Sequence, residues 1–206
     1  MTQRKAHIER NSTETQIKAE LNIDGTGKTH IKTPIKILDH MLELFAFHGC
    51  FDLTIDVTKA DTEIDIHHTN EDIGIVLGKV FKKALGEKEG IRRFGSAFAP
   101  MESTLGRTVV DISGRGYLTL QIGDPGLPIQ EIKDQEDYAI TYLEHFLESF
   151  AHALGATLHV GISQPSEDLH TNIETVFKSL GLALDSATQI DPRRQGQVPS
   201  TKGIID

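Results

Sequence analysis

The sequence predicts an α+β fold made by internal duplication, a β-sheet packed against helices that occurs twice, as two similar halves of one compact chain. Two observations carry this. Each half runs through the same order of signals: strands, an amphipathic helix closed by glycine, one more strand, and a helix whose start bears histidine. A short pattern also recurs, since His67-His68-Thr69-Asn70-Glu71 in the first half is echoed by His170-Thr171-Asn172-Ile173-Glu174 in the second. Direct identity between the halves is low. The repeat is one of order and spacing, with a unit of roughly 95 residues.

Residues 6–33 look like paired strands: 16–23 alternate, Asp24-Gly25 is a turn signal and 28–33 alternate again. A helix follows in which Ile37 or Leu38, Met41, Leu42 and Phe45 recur at helical spacing, with Gly49 as its stop. Residues 51–57 alternate as a strand. The His67/His68 segment then feeds a second helix with a buried stripe of Ile73, Val76, Leu77, Val80, Phe81 and Ala84, ended by Gly86. In the second half, 94–99, 107–113 and 117–122 read as strands, with a turn at Gly114-Arg115-Gly116. A loop with Gly123, Pro125, Gly126 and Pro128 leads to a helix carrying Tyr138, Tyr142, Leu143, Phe146, Leu147 and Phe150, closed by Gly155. A strand over 156–162 precedes a Ser166-capped helix with Ile173, Val176, Phe177, Leu180 and Leu184 on one face. The boundaries expected are 1–93 and 94–190 for the halves, and 191–206 for a polar tail.

Composition narrows the function. With 38% hydrophobic and 25% charged residues, the chain reads as a soluble globular protein. The single cysteine, Cys50, precludes an intramolecular disulfide and fits a reducing compartment. No apolar run spans a bilayer, and the polar start lacks a signal-peptide core, so the cytoplasm is expected. A formal charge of −9 argues against a nucleic-acid partner, whose phosphates need a basic face. It leaves room for a small anion held by a few local cations.

The repeated His-x-x-x-Glu is the chemical signal. On a helix, positions i and i+4 share a face, so His67/Glu71 and His170/Glu174 can each offer a nitrogen and an oxygen to one ion. Such mixed donors suit Mn, Fe or Zn. His40, on the helix before the first pair, and His159, on the strand before the second, could complete the coordination if the halves pack face to face. Taken singly, each reads first as a core or surface histidine satisfied by a backbone carbonyl. His7, His30, His48, His145 and His152 lack a comparable partner and are left to structure or surface. Arg92-Arg93 and Arg115 sit at strand ends and turns, as solvated loop charge or as anion contacts. Pro199-Ser200-Thr201-Lys202-Gly203 offers hydroxyls, amides and an ammonium, a fair anion cradle. No Walker, dinucleotide, His-Glu-x-x-His or nucleophile-elbow motif is present.

A family resemblance rests on Arg10-Asn11-Ser12-Thr13-Glu14-Thr15, Asp39-His40-Met41-Leu42, His48-Gly49, His67-His68-Thr69-Asn70-Glu71-Asp72-Ile73-Gly74, Arg92-Arg93-Phe94-Gly95, Asp111-Ile112-Ser113-Gly114-Arg115, Thr157-Leu158-His159, Phe177-Lys178 and Pro199-Ser200-Thr201-Lys202-Gly203. In this order, over nearly the whole chain, they resemble imidazoleglycerol-phosphate dehydratase. The resemblance implies a duplicated α+β fold, trimers assembling to a twenty-four-subunit shell, and sites built between subunits. The activity it implies is a hydro-lyase step of histidine biosynthesis, from imidazole glycerol phosphate to imidazole acetol phosphate through a metal-stabilised imidazolate. It assigns Glu14 as the acid/base group, with Glu71 and Glu174 in the catalytic set. One Mn(II) is assigned to His67, Glu71 and His159, the other to His40, His68, His170 and Glu174. The phosphate falls to Arg93, Arg115, Lys178, Ser200 and Lys202, with Glu14 also touching substrate.

Three positions depart from the family pattern. Thr171 stands where the second histidine of the repeat belongs, Ile66 replaces an Asp before the paired histidines, and Ser103 replaces a Glu in Pro100-Met101-Glu102-Ser103. The resemblance implies two ions per site, and the missing ligand at 171 leaves one ion per site as the alternative. That missing ligand also keeps open a catalytically impaired metal-binding paralogue, beside a metal-dependent phosphatase or hydrolase.

Overall fold

A computed structural model describes residues 4–63, 65–124, 131–194 and 196–205. The chain folds in the order β1 (Lys5–Asn11), β2 (Gln16–Asn22), β3 (Thr29–Lys32), α1 (Lys36–His48), β4 (Asp52–Lys59) and α2 (His67–Leu85), then β5 (Phe94–Met101), β6 (Thr104–Asp111), β7 (Tyr117–Ile122), α3 (Ile140–Leu154), β8 (Thr157–Ser163) and α4 (Leu169–Thr188). The two four-stranded sheets have the same topology, β1-β2-β4-β3 and β5-β6-β8-β7. In each, the first three strands of that order run antiparallel, and the last joins in parallel. The duplicated α+β architecture is thereby established. Pro125, Gly126 and Pro128 of the expected loop lie outside the described residues.

Two strand expectations need correction. The Asp24-Gly25 turn signal suggests a hairpin between its flanking strands, yet β4 is inserted between β2 and β3. The turn serves β4 instead: Asp52 Oδ1 accepts from the amides of Thr26 (2.8 Å) and Lys28 (3.2 Å). In the second half, residues 100–106 complete a hairpin in which Met101 faces Thr104 across a two-residue turn. Ser103 sits exposed at that tip. A proline at position 100 and a glycine at 106 obscure the alternation there.

Alternation along each inner strand turns one face to the helices and the other outward. Ile17, Ala19 and Leu21 of β2, Leu53 and Ile55 of β4, and Leu158, Val160 and Ile162 of β8 are all buried. The helices carry the rest of the core between the sheets. α2 lies on β1 and β2 and packs against α3, while α4 lies on β5 and β6 and packs against α1. Each of these helix–helix contacts joins one half to the other.

Glycine permits these close approaches. A Cβ on Gly78 of α2 would stand 2.6 Å from the Phe150 carbonyl oxygen and 2.7 Å from the Ala153 Cβ of α3. A Cβ on Gly181 of α4 would stand 2.4 Å from the Phe45 carbonyl oxygen of α1. Helix backbone cannot yield there without moving a whole element. Gly78→Ala is therefore expected to destabilise the protein by about 2 kcal/mol, as overpacking does. An unchanged urea midpoint would show that α2 and α3 stand further apart than described.

Candidate metal and phosphate site

The first turns of α2 and α4 are held in place by side chains, and those turns carry the repeated pattern. At α2, Asp65 Oδ1 accepts from the His67 amide (3.1 Å) and from the Tyr142 hydroxyl (2.7 Å). The hydrogen bond from Tyr142 leads in holding the Asp65 carboxyl below its ordinary range. Asn70, fully buried, donates to the Tyr142 carbonyl (2.8 Å) and accepts from the Tyr138 hydroxyl (2.9 Å). The ligand-bearing turn is thus fastened to the start of α3. Ile66, the departure before the paired histidines, is the N-cap residue of α2 and makes no side-chain cap. Asp65 accepts from the His67 amide in its place, while the Ile66 carbonyl accepts from the Asn70 amide (2.9 Å).

At α4 the N-cap is Asp168, not Ser166. Asp168 accepts from the His170 amide (3.2 Å), while Ser166 Oγ accepts from the Asp168 amide (3.1 Å) one step earlier. Thr171 donates its hydroxyl to Asp168 Oδ2 (2.8 Å) and is buried. Its hydroxyl is thus donated to the cap residue.

Two clusters of ligand atoms form where the halves meet. His67 Nε2 lies 2.9 Å from Glu71 Oε1, and His67 Nδ1 lies 3.0 Å from His145 Nδ1. His170 Nε2 lies 3.0 Å from Glu174 Oε2, which is 3.7 Å from His40 Nε2, and the rings of His40 and His170 stack with centroids 5.2 Å apart. In each set, one atom from every residue lies within 4.8 Å of the others. Each cluster is crossed: the imidazole of α3 joins the pair on α2, and that of α1 joins the pair on α4. Two imidazole nitrogens with a carboxylate oxygen are a donor set that fits a first-row divalent ion.

His145 is a ligand candidate that the i, i+4 pattern alone misses. A signal for it exists, because His-x-Leu-Glu-x-Phe-Ala occurs at 40–46 and again at 145–151, placing His145 as the counterpart of His40. His159 moves the other way. Its neighbours Leu158 and Val160 face the core, so strand alternation turns His159 to the outer face of its sheet, where it is exposed. There it stands between Val109 and Thr119, with the sheet separating it from both clusters.

A third group gathers at the edge of α2. His68 Nδ1 is 3.1 Å from Asp61 Oδ2 and 3.9 Å from Glu14 Oε2. The hydrogen bond to Asp61, with the Glu14 charge second, raises the imidazole above its ordinary pKa. Glu14 sits on the turn between β1 and β2, which is tied to α2 by Asp72. That buried carboxylate accepts from Thr15 Oγ1 (2.5 Å) and pairs with Arg10 (2.8 Å).

The tail is brought against the second half. Arg93, Ser113, Arg115, Ser200 and Lys202 line a cavity of about 170 Å³. Arg93 adopts a left-handed φ of 73° and forks onto Asp111 (2.6 and 3.1 Å), with a third bond to the Pro199 carbonyl (3.0 Å). Its donors are thereby largely committed to fastening the tail. Among the described residues, Arg115 and Lys202 have no ion-pair partner. Lys178 stands apart from this cavity and pairs with Glu174 instead. Burial pushes the Glu174 carboxyl up, but Lys178 and His170 more than offset it and leave the group below its ordinary value.

Fold and clusters together define a class: duplicated α+β chains that set two ligand sets suited to divalent cations between their helices, with a cationic cavity on the same chain. Comparison with known proteins is more specific. The family model for imidazoleglycerol-phosphate dehydratase matches residues 33–184. Proteins of that name from Pelobacter propionicus and Geobacter sulfurreducens are 47% and 48% identical over 202 residues, covering 98% of this chain and 99% of each relative. The crystal structure of the Pyrococcus furiosus dehydratase, in complex with (S)-C348, aligns with a TM-score of 0.77 at 36% identity, covering 96% of this chain and 99% of that one. The Staphylococcus aureus structure aligns at 0.74 and 30% identity, covering 90% and 100%. The chain belongs to the imidazoleglycerol-phosphate dehydratase family, whose name denotes a hydro-lyase, EC 4.2.1.19. Among the described residues no helix is long and apolar enough to cross a membrane.

Proposed function

We propose that the chain dehydrates imidazole glycerol phosphate to imidazole acetol phosphate in histidine biosynthesis, in the cytoplasm, as a metal-dependent homo-oligomer. The observation that carries this reading is the crossed pairing, made twice, of an α1 or α3 imidazole with the His-x-x-x-Glu of the opposite half. His40, His170 and Glu174 would hold one Mn(II), and His67, Glu71 and His145 the other. His68 is offered to the first of these from a neighbouring subunit.

The proton to be removed sits on a carbon with no carbonyl beside it, so the substrate's imidazole has to accept electron density. Divalent ions, if held by these residues, would supply Lewis acidity toward that ring. Glu14, on an exposed turn anchored through Asp72, is placed to take and return protons as a carboxylate can. Arg115, Ser200 and Lys202 bind the phosphate and orient the substrate, with Arg93 holding the tail in position. Lys178 neutralises Glu174 within its own chain, which leaves its phosphate role to contacts between subunits.

Turnover of imidazole glycerol phosphate with Mn(II) tests the reading: a ketone product supports it. Inorganic phosphate released without ketone would point to a phosphatase. Thr171 favours one second reading, an impaired paralogue that binds metal and substrate without turnover, because its hydroxyl is spent on Asp168. Tight phosphate-ester binding with no product would select that reading.

If His68 is exported to a neighbour's ligand set, metal also joins subunits, in trimers and a twenty-four-subunit shell. Chelation by EDTA is then expected to lower the mass seen by light scattering, with recovery on adding Mn(II). A mass that ignores chelation would remove the intersubunit site.

A further inference from the structure

We infer that Asp61 is a positioning residue for His68, holding its Nδ1–H so that Nε2 is the atom offered to a divalent ion. This rests on the reading above in which His68 is a ligand, and it adds a residue that belongs to neither helical ligand set; Asp61, Glu14 and His68 form a separate group whose ligand atoms lie within 4.8 Å of one another. His67 and His68 are adjacent on α2 and so point roughly 100° apart around the helix. His67 turns into its cluster, whereas the His68 side chain is 56% exposed. Of the two carboxylates beside its ring, only Asp61 is within hydrogen-bond reach of Nδ1, at 3.1 Å against 3.9 Å for Glu14. Among the described residues, Nε2 of His68 has no hydrogen-bond partner.

The placement of Asp61 is built into the turn it serves. Its amide donates to Thr69 Oγ1 (3.1 Å), and the same hydroxyl donates to its carbonyl (3.1 Å). Thr69 is fully buried and follows His68 directly in α2. The carboxylate and the imidazole are thus referenced to one helical turn and keep their relation whatever the rest of the β4–α2 connection does. A carboxylate accepting from one ring nitrogen fixes the tautomer, orients the ring and raises the basicity of the other nitrogen. Loss of such a partner from a metal-bound histidine typically weakens metal binding by about 10–100-fold. A chance surface pair would leave metal binding alone.

The test is a Mn(II) titration by calorimetry on the full-length protein and on Asp61→Asn, His68→Ala and the double variant. Asp61→Asn is expected to weaken the tighter class of Mn(II) sites by about 10–100-fold. The double variant should bind no more weakly than His68→Ala alone, because Asp61 acts only through that ring. Losses that add would give Asp61 a merely structural role and overturn the inference, as would Asp61→Asn binding like the unmodified protein while His68→Ala binds weakly. Unchanged binding by His68→Ala would instead remove His68 from the ligand set, and the inference with it. Asp61→Glu keeps the carboxylate. Should the Asn variant fold poorly, affinity retained in the Glu variant supports positioning, and loss equal to that of His68→Ala opposes it.

Discussion

Glu14→Gln is expected to lower kcat by about 100- to 10,000-fold, the range typical of removing a general acid or base. The amide keeps the size and shape of the side chain but cannot take a proton. The turn should survive the change, since its anchors are Ser12, Thr15, Asp72 and Arg10, none of which bonds to the Glu14 carboxylate. Substrate binding should therefore hold, and the loss should appear in kcat with little change in KM. Lys202→Ala is the contrasting variant. It removes a cation that has no ion-pair partner among the described residues, so its effect should fall on KM. Steady-state kinetics on both separate the roles. Near-normal kcat for Glu14→Gln would take that residue out of the chemistry.

Metal analysis of dialysed protein is expected to give nearer one ion than two per chain, and Thr171→His to raise it toward two. Each crossed cluster holds two imidazoles and a carboxylate, but only α2 carries a second imidazole, His68, directly after the histidine of its His-x-x-x-Glu pair. Its counterpart in the second half is Thr171, buried and bonded to Asp168 at 2.8 Å. A threonine hydroxyl is a poor ligand for a first-row ion, and here it is already donated. An ion left with three protein ligands loses more readily to dialysis than one with four. His40, His170 and Glu174, joined by a neighbour's His68, should keep their ion. His67, Glu71 and His145 should lose theirs. Two tightly held ions in the unmodified protein would mean that another residue fills the place of 171.

Much of the site is legible in the amino-acid sequence. The i, i+4 pairs are readable because both members lie on one helix, where spacing alone decides which face they share. Arg115, Ser200 and Lys202, which the resemblance assigns to one anion, line one cavity. His145 and His159 mark where such inference stops. A resemblance of flanking residues favours His159, but strand alternation turns its ring to the outer face. His145 depends on which helix of one half meets which helix of the other. The internal repeat holds the clue in its doubled His-x-Leu-Glu-x-Phe-Ala, yet the crossing itself lies in no local pattern.

By itself, then, the sequence determined the two halves, the helices that bear the ligands and the residue types each can offer. These follow from periodicity, turn residues and side-chain chemistry, all of which act over a few positions. Only the tertiary structure decided that β4 enters between β2 and β3, that Lys178 spends its charge on Glu174, and that α1 meets α4 while α2 meets α3. Those outcomes depend on how closely whole elements approach. Glycines such as Gly78 and Gly181 allow contacts between backbones far apart in the chain, and it is those contacts that bring each imidazole to the carboxylate of the other half.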